Sequence, residues 1–340
     1  MLRKVITTTL FVCFIIITLV ACDHQTDTKQ QSTDDEQQTN KVTEEVVLPD
    51  QHLQKGDQGK EVQHIQTYLT ELGYPVSVNG TYDERTTWAI VDLQLQLEDD
   101  EVDVTGMYDQ DTKAALDQST TKDLNIEPGK MLKQPTGDEK IDDTKIIENP
   151  YDVLALINKE HALPAEYIPE DLVTPDVRFP FTEDLPKKQM RKVAARALED
   201  LFKDADDAGL DLFAQSGYRS YERQEAIFAA NIEKNGEKAA NKYSARPGES
   251  EHQSGLTMDV TSPGVEYDLV IAFEDTPEGK WIKKHASDYG FIIRYPKGKE
   301  DITQYQYEPW HLRYVGKKAA KEIMQEDITL EEYVDHLQEE

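Results

Sequence analysis

Residues 250–260 read S-E-H-Q-S-G-L-T-M-D-V and place a histidine and an aspartate on either side of a glycine. After the glycine, apolar residues alternate with Thr257 and Asp259, which is the pattern of a β-strand with one face in the core. Asp259 is therefore predicted on the other face. His252 precedes the glycine, where a bend can turn its ring towards Asp259. From this stretch alone, the two side chains could be a hydrogen-bonded structural pair, a proton-transfer couple or two metal ligands.

The segment E-P-W-H at 308–311 adds a second histidine and another acid. Imidazole and carboxylate are ordinary zinc ligands, and a catalytic zinc uses three protein ligands while leaving a fourth position to water. His252, Asp259 and His311 would supply those three. Glu308 is then left over, beside a proline that favours extended backbone, where it could accept a proton from that water. Histidines held by ordinary structural hydrogen bonds are the alternative interpretation.

Composition limits the size of the protein and its partners. The chain has 340 residues, enough for about two domains, and 38% of them are hydrophobic, which allows a sizeable core. Its 37 basic and 67 acidic side chains give a formal net charge of −30. A chain this acidic would repel nucleic acid and anionic lipid headgroups, so nucleic acid is not expected as a partner.

The N-terminus has the pattern of an export signal. Arg3 and Lys4 precede an apolar run that ends in small residues and Cys22. The run is short for a bilayer, which needs about 20 apolar residues, although a single uncleaved membrane helix is the alternative. The tetrapeptide L-V-A-C at 19–22 resembles the lipobox of bacterial lipoproteins, whose cysteine is acylated on sulfur and becomes the first mature residue. This resemblance implies a lipoprotein signal peptide over 1–21 and an extracytoplasmic protein anchored to the bacterial cell membrane through Cys22.

Two polar stretches divide the rest of the chain. Residues 22–50 are rich in Gln, Thr and Asp and contain few apolar residues. They are predicted to form a disordered tether, because they cannot bury enough apolar surface to offset the loss of chain entropy. Residues 118–148 contain E-P-G-K and Q-P-T-G-D-E-K, which is typical of a linker between domains. Two folded units are therefore predicted, over 51–117 and 149–340.

The smaller unit contains an internal repeat. The sequence G-T-Y-D-E-R-T-T-W-A-I at 80–90 returns as G-M-Y-D-Q-D-T-K-A-A-L at 106–116. In each copy an aspartate, Asp83 or Asp109, can cap the first free amides of a short helix. Apolar residues spaced three and four apart predict an earlier helix over about 62–69. The pattern indicates a small three-helix domain.

This unit also resembles the peptidoglycan-binding domain found beside many cell-wall hydrolases. The resemblance covers nearly all of 51–117, through L-x-x-G-D-x-G-x-x-V-x-x-I-Q and the repeated G-x-Y-D-x-x-T-x-x-A. One departure is Leu93-Gln94, where that family usually has Phe-Gln, so a groove of different shape is expected. The resemblance implies a ligand in the cell wall, either the glycan or the stem peptide.

The larger unit resembles the zinc D-alanyl-D-alanine carboxypeptidases of the VanY-like branch. The motif S-x-H-x-x-G-x-x-x-D at 250–259 is followed by E-x-W-H at 308–311, and further similar stretches include S-G-Y-R-S-Y-x-x-Q at 216–224 and G-F-I-I-R-Y-P at 290–296. The resemblance runs over most of 150–335 and includes several motifs in the same order.

The resemblance implies a role for each candidate residue. It implies that His252, Asp259 and His311 bind zinc, that Glu308 is the catalytic base, and that Arg219, Gln224 and Ser250 contact the substrate. A carboxypeptidase must also hold a terminal carboxylate, for which a guanidinium is well suited. Arg219 is the first choice for a catalytic cation beside the reacting peptide, and Tyr295 is a further candidate for a hydroxyl lining the substrate site. Three other arginines compete with Arg219 for this role: Arg246, Arg294 and Arg313.

The implied fold class is α+β, with helices from about 185–208 and 221–241 packed on a small, mostly antiparallel sheet that carries the site. The first helix is also visible without the family, because apolar residues from Met190 to Phe202 recur at helical spacing. Near the C-terminus, Thr329 and Glu332 occupy the positions of a capping box at the start of a last helix.

These features together predict a membrane-anchored, zinc-dependent peptidoglycan carboxypeptidase that faces the cell wall and removes a C-terminal D-alanine from stem peptides. D,D-cleavage is favoured. The alternatives within the enzyme class are an L,D-carboxypeptidase and an endopeptidase on stem peptides. A non-catalytic lipoprotein that only binds the wall is the alternative from another class, although such a protein would have no chemical need for Glu308.

If Cys22 carries the lipid, Cys22→Ala should remove the anchor, and the protein should move from the membrane fraction to the soluble fraction. Fractionation of cells that express either form, followed by immunoblotting, measures this. A Cys22→Ala protein that stays with the membrane as wild type does would favour the uncleaved helix instead.

Overall fold

The structure is a computed structural model that describes residues 47–97, 99–118, 124–137, 140–141 and 144–339. The predicted signal peptide, Cys22 and nearly all of the predicted tether lie outside the described residues. Within the described part of the chain, no helix combines the length and apolar character needed to span a bilayer. The described residues from Val47 to Glu339 belong to one compact unit.

Ten helices and nine strands are found among the described residues. The helices are α1 (Lys60–Glu71), α2 (Glu84–Leu97), α3 (Gln110–Asp117), α4 (Lys192–Asp207), α5 (Tyr221–Asn235), α6 (Glu237–Tyr243), α7 (Pro277–His285), α8 (Glu300–Thr303), α9 (Lys317–Glu326) and α10 (Leu330–Glu339). The strands are β1 (Lys140–Ile141), β2 (Thr144–Ile146), β3 (His161–Ala162), β4 (Leu172–Val173), β5 (Met190–Arg191), β6 (Phe213–Ser216), β7 (Thr257–Thr261), β8 (Phe291–Ile293) and β9 (His311–Tyr314).

Helices α1 to α3 form the predicted three-helix domain around a core of their own. Both predicted caps are confirmed, because Asp83 Oδ1 accepts the backbone N–H of Thr86 at 2.8 Å and Asp109 Oδ1 accepts that of Thr112, also at 2.8 Å. The helix-start signals of the two repeats therefore predicted their local structure correctly.

A buried glutamine completes each repeat. Gln66 accepts the backbone N–H of Gly80 at 2.9 Å and donates to the Thr81 carbonyl at 2.8 Å. Gln94 accepts the N–H of Gly106 at 3.0 Å and donates to the carbonyl of the next residue at 2.8 Å. Each side chain satisfies both polar groups of the turn that leads into the next helix, so the repeat in sequence is also a repeat in hydrogen bonding.

The sheet that carries the candidate site has four strands in the order β6-β7-β9-β8, and every neighbouring pair is antiparallel. The prediction of a small, mostly antiparallel sheet is therefore confirmed. Alternate residues of β7, Met258 and Val260, enter the main core together with Leu198 and Leu201 of α4. The opposite face of β7 is covered as well, since all five of its residues are buried.

Two helix boundaries differ from the sequence prediction. The helix expected over 185–208 begins only at Lys192, because Pro186–Lys188 form a short 3-10 turn and Met190 belongs to β5. The helix expected over 221–241 is two helices, interrupted at Gly236, whose φ of 78° is left-handed. The dipeptide Asn235-Gly236 is a helix-stop signal that the apolar spacing concealed.

The last helix begins as predicted. The backbone N–H of Thr329 donates to Glu332 Oε2 at 2.8 Å, and the N–H of Glu332 donates to Thr329 Oγ1 at 3.1 Å, so the capping box is confirmed. Leu330, Tyr333 and Val334 enter the main core. The C-terminal helix is thereby part of the larger unit.

Two arginines of the larger unit are among the residues that contact the three-helix domain. Arg191 is fully buried and donates to the Val104 carbonyl of the small domain, to the Tyr151 carbonyl at 2.9 Å and to Asp171 at 2.9 Å. Arg196, whose side chain is 44% exposed, reaches Asp103 of the small domain at 3.1 Å. The same contact between the two parts of the chain is therefore made once by a buried arginine and once by an exposed one.

Replacing Arg191 by Met should lower the free energy of unfolding by about 3 kcal/mol, because Asp171 and two buried carbonyls lose their donor. Arg196→Met is the matched control and should cost less than about 1 kcal/mol, since the exposed ion pair is screened by solvent. Urea denaturation followed by tryptophan fluorescence measures both. Equal effects of the two substitutions would show that the buried contact adds no more stability than the exposed one.

Candidate metal centre and active-site cleft

Asp259 and His311 face each other across neighbouring strands. Asp259 lies in the middle of β7, and its partner in the antiparallel register is His311, the first residue of β9. Directly opposite residues project from the same face of a sheet. His311 Nδ1 consequently lies 2.9 Å from Asp259 Oδ1.

His252 reaches the same face from outside the sheet. It lies on the short 3-10 turn Glu251–Ser254, which ends at Gly255 with a left-handed φ of 70°. A β-carbon at Gly255 would lie 2.9 Å from Arg191 Cγ, so the bend has no room for a side chain. The bend places His252 Nε2 3.4 Å from Asp259 Oδ2. A straight strand would place His252 and Asp259, seven positions apart, on opposite faces. The bend at Gly255 brings them to the same side instead.

His252, Asp259 and His311 together form a group that could hold a metal ion. One ligand atom from each residue lies within 4.8 Å of the other two, and all three side chains are buried. The other ring nitrogen of each histidine is occupied: His252 Nδ1 is 2.7 Å from the Gly217 carbonyl, and His311 Nε2 is 3.4 Å from Glu251 Oε2. Metal-ligating histidines are held in this way, and two imidazoles with one carboxylate are a donor set of catalytic zinc. The residues therefore fit a zinc ion.

The protonation states in the metal-free structure follow from burial and mutual contact. Burial lowers the pKa of His252 to about 3, which leaves the neutral imidazole that a metal requires. Burial alone would raise the pKa of Asp259, but the two histidines and Arg219 outweigh it and hold that pKa below its usual range. Burial opposes the charge on His311, yet hydrogen bonds to Asp259 and Glu251 raise its pKa to about 9.

Glu308 lies beside this group. Its Oε2 is 4.0 Å from His311 Nδ1, and its side chain is 18% exposed at the edge of the cleft. Burial raises the pKa of Glu308 to about 7, although the nearby His311 opposes the shift. A carboxyl group with a pKa near the working pH can both accept and return a proton, which suits a general base.

An open cavity of about 290 Å³ lies over the group. The predicted site residues all line it, and the structure brings these side chains together: Arg219, Gln224, Ser250, His252, Asp259, Tyr295, Glu308 and His311. Other side chains that line the cavity were not among the predicted site residues: Ile227, Asn231, Leu269, Tyr305 and Trp310. Their positions depend on helix and loop packing that no local motif signals.

Arg219 is the one candidate arginine that lines the cavity, among the residues that the structure describes. Its Nη1 donates to Gln224 Oε1 at 3.0 Å, while Gln224 Nε2 donates to the Ala245 carbonyl at 2.6 Å. Gln224 is thereby fixed by the backbone and orients the guanidinium. Arg219 Nη2 donates to Ser216 Oγ at 3.5 Å, a long contact, so much of the donor capacity of the guanidinium remains for an anionic group in the cleft.

The three competing arginines lie elsewhere. Arg246 is about half exposed and pairs with Glu237 at 3.4 Å. Arg294 and Arg313 are fully buried, and each donates to Glu251 Oε1 at 2.7 Å. Arg294 and Arg313 therefore form buried ion pairs with Glu251 and do not line the cavity.

Ser250 and Tyr295 form part of the cavity wall on either side of the histidines. Ser250 is buried immediately before the turn that carries His252. The ring of Tyr295 lies 5.0 Å from that of His311 and 4.8 Å from that of Tyr305, measured between centroids. Burial raises the pKa of Tyr295 well above its usual value, so the phenol keeps its proton.

Sequence reasoning missed Glu251. This residue is fully buried directly before His252, and its carboxylate contacts His311, Arg294 and Arg313. Burial alone would raise the pKa of Glu251, but the two guanidinium groups hold it far below its usual range. The available signal was two arginines on strand-forming stretches, Arg294 directly after β8 and Arg313 within β9, because buried cations need an acid to balance them.

Comparison with known proteins places this site in a family. Residues 187–317 match the VanY model, described as D-alanyl-D-alanine carboxypeptidase. "Putative carboxypeptidase YodJ" of Bacillus subtilis (strain 168) is 55% identical over 195 residues, which are 57% of this chain and 71% of that protein. A D-alanyl-D-alanine carboxypeptidase of Enterococcus faecium is 31% identical over 68% of this chain and 69% of its own length. The chain belongs to the VanY carboxypeptidase family.

Two further comparisons concern the VanY domain and its neighbour. The solved structure of the LdcB LD-carboxypeptidase is 54% identical and superposes with a TM-score of 0.57, covering 58% of this chain and 92% of that one. Residues 58–116 match a model described as "Putative peptidoglycan binding domain". The resemblances expected for both folded units from sequence are thereby confirmed.

Replacing any one of His252, Asp259 or His311 by Ala should reduce bound zinc well below one equivalent per chain, because two remaining ligands cannot hold the ion tightly. Metal analysis after dialysis against a weak chelator measures this. His285→Ala, at a partly exposed histidine outside the cavity, is the control and should bind zinc as wild type does. Full zinc loading of Asp259→Ala would remove Asp259 from the ligand set.

Proposed function

We propose that this VanY-family protein is a zinc-dependent carboxypeptidase that releases the C-terminal D-alanine of peptidoglycan stem peptides. The observation that carries the proposal is the buried His252, Asp259 and His311 group, with Glu308 beside it in the same open cavity. Membership of the VanY family supports it further.

The residues divide the work of peptide hydrolysis. When bound, zinc polarises the scissile carbonyl and makes a water molecule more acidic. Glu308 would accept the proton of the attacking water as the new C–O bond forms, and would return it to the leaving amine as the C–N bond breaks. Burial raises the pKa of Glu308 in the metal-free protein to about 7, the direction that favours return of the proton to the leaving amine.

Arg219 would bind the terminal carboxylate of the substrate. Its guanidinium is held by Gln224 at Nη1 and more weakly by Ser216 at Nη2, and a guanidinium with five N–H donors keeps others for charge-assisted hydrogen bonds. Recognition of a free carboxylate by a fixed cation explains why cleavage would occur at a chain end and not within the peptide. An endopeptidase would have no such use for Arg219.

The length of the stem peptide separates two versions of this function. A D,D-carboxypeptidase releases D-alanine from a pentapeptide, which the description of the VanY model favours. An L,D-carboxypeptidase releases D-alanine from a tetrapeptide, and the 54% identity with the LdcB LD-carboxypeptidase favours this second candidate. Both share the leaving residue and differ in the chirality of the residue that precedes it.

The rest of the chain would bring the enzyme to its substrate. We propose that Cys22 carries a lipid anchor and that residues 51–117 bind the glycan or stem peptide of the wall, as their match to a peptidoglycan-binding model suggests. The protein would then act outside the cytoplasm, between the membrane and the wall.

Glu308→Gln should keep zinc at the wild-type stoichiometry, while D-alanine release falls by about 10²–10⁴-fold, the loss typical of a missing general base. The amide preserves the size of the side chain and removes only the proton acceptor. Metal content and hydrolysis are measured on the same preparation. A Glu308→Gln protein that loses its zinc would identify Glu308 as a ligand.

Purified muropeptides decide the substrate. Incubation of the zinc-loaded protein with pentapeptide or tetrapeptide, followed by mass spectrometry, should show loss of a single alanine from one of the two much faster than from the other. Glu308→Gln serves as the inactive control. Release of a dipeptide, or cleavage of cross-linked dimers with no free alanine, would contradict the proposed carboxypeptidase.

A further inference from the structure

The carboxylate of Glu251 joins a metal-ligand candidate to a buried set of charges. Its Oε2 lies 3.4 Å from His311 Nε2, on the side of the ring that faces away from Asp259. Its Oε1 accepts from Arg294 Nε and from Arg313 Nη1, both at 2.7 Å. Both carboxylate oxygens are therefore in use, one towards the candidate site and one towards the arginines.

The two arginines are themselves held in place. Arg313 Nη2 donates to the carbonyls of Val153 and Ala155, both at 3.0 Å. Arg294 donates through Nη1 and Nη2 to the two oxygens of Glu331, at 2.8 and 2.7 Å. This fork-to-fork pair is short and bidentate, the geometry in which an arginine and a carboxylate fix each other most firmly.

Glu331 lies in the first turn of the C-terminal helix α10 and does not line the cavity. Its side chain is 11% exposed, while those of Arg294, Arg313 and Glu251 are fully buried. Two acids balance two guanidinium groups, so the charges of the network cancel. Removing one acid would leave a buried guanidinium without its full balance, and the network would have to rearrange.

We propose that Glu251 is a positioning residue for His311, and that Glu331 of the C-terminal helix holds Glu251 in place through Arg294. A hydrogen bond from His311 Nε2–H to Glu251 places the proton on that nitrogen and leaves Nδ1 free to bind a metal. The ring orientation that serves the metal then depends on a helix that has no residue in the cavity. The inference rests on the zinc centre proposed above.

Two substitutions test the network, with a matched control in the same helical turn. Glu251→Gln and Glu331→Gln remove one negative charge each without changing the side-chain size. Glu332→Gln removes a charge beside Glu331, where the carboxylate pairs with Lys299 at 3.1 Å and a glutamine can still complete the capping box. The measurements are the Kd for zinc, by competition with a chromophoric chelator, and the thermal unfolding of the metal-free proteins.

Glu251→Gln should weaken zinc binding by about 10- to 100-fold, the usual effect of disturbing the hydrogen-bond partner of a ligand, because the one amide oxygen cannot accept from both His311 and the arginines. Glu331→Gln should weaken it in the same direction by about 10-fold, and Glu332→Gln should leave it unchanged. A purely structural role would lower the melting temperature of the metal-free protein and leave the zinc Kd of the folded fraction at its wild-type value. That result would overturn the inference.

The outcome also separates this inference from the proposed function. If Glu251→Gln does not fold, the inference is tested by the zinc Kd of Glu331→Gln alone. A Kd weaker than that of Glu332→Gln supports the inference, and an equal Kd contradicts it. If wild-type protein binds zinc and releases D-alanine while both variants keep its Kd, only the inference fails. If wild-type protein binds no zinc, the proposed metal centre fails first.

Discussion

The pairing of Asp259 with His311 across β7 and β9 places two of the candidate ligands on one face of the sheet, and the other site residues are arranged around this pair. His252 joins it from a 3-10 turn, and Glu308 is joined to His311 by a tight turn in which the His311 N–H donates to the Glu308 carbonyl at 3.2 Å. A slip of one residue in this register would turn Asp259 to the opposite face. Burial of β7 on both faces makes such a slip costly, because Met258 and Val260 would leave the core.

The parts of the site with local signals could be predicted from the sequence. The alternation after Gly255 predicted the strand of Asp259, and the family resemblance indicated which histidines and acids lie together as candidate ligands. Helix α4 and the capping box of α10 were also visible, since each depends on residues within one or two turns. Helix ends at Lys192 and Gly236 were less visible, because apolar periodicity continues past both of them.

Glu251 could not be predicted in the same way, because nothing near it in sequence shows that it is buried. In a chain with 67 acidic residues, one more glutamate is expected on the surface. The free-energy cost of burying it is offset by Arg294 and Arg313, which lie 43 and 62 positions later in the chain. Buried charge networks of this kind form only in the tertiary fold, so local sequence motifs do not reveal them.

The contact of Arg191 with the small domain has a consequence for how a polymer would be handled. Two binding sites joined by a loose tether take up many different distances from each other. Two sites in domains that a buried arginine holds together stay at nearly the same distance. If residues 51–117 grip the wall as proposed, the cleft would stand at a set distance from that grip. The protein would then act as a molecular ruler, and stem peptides would be trimmed at a spacing that its own dimensions determine.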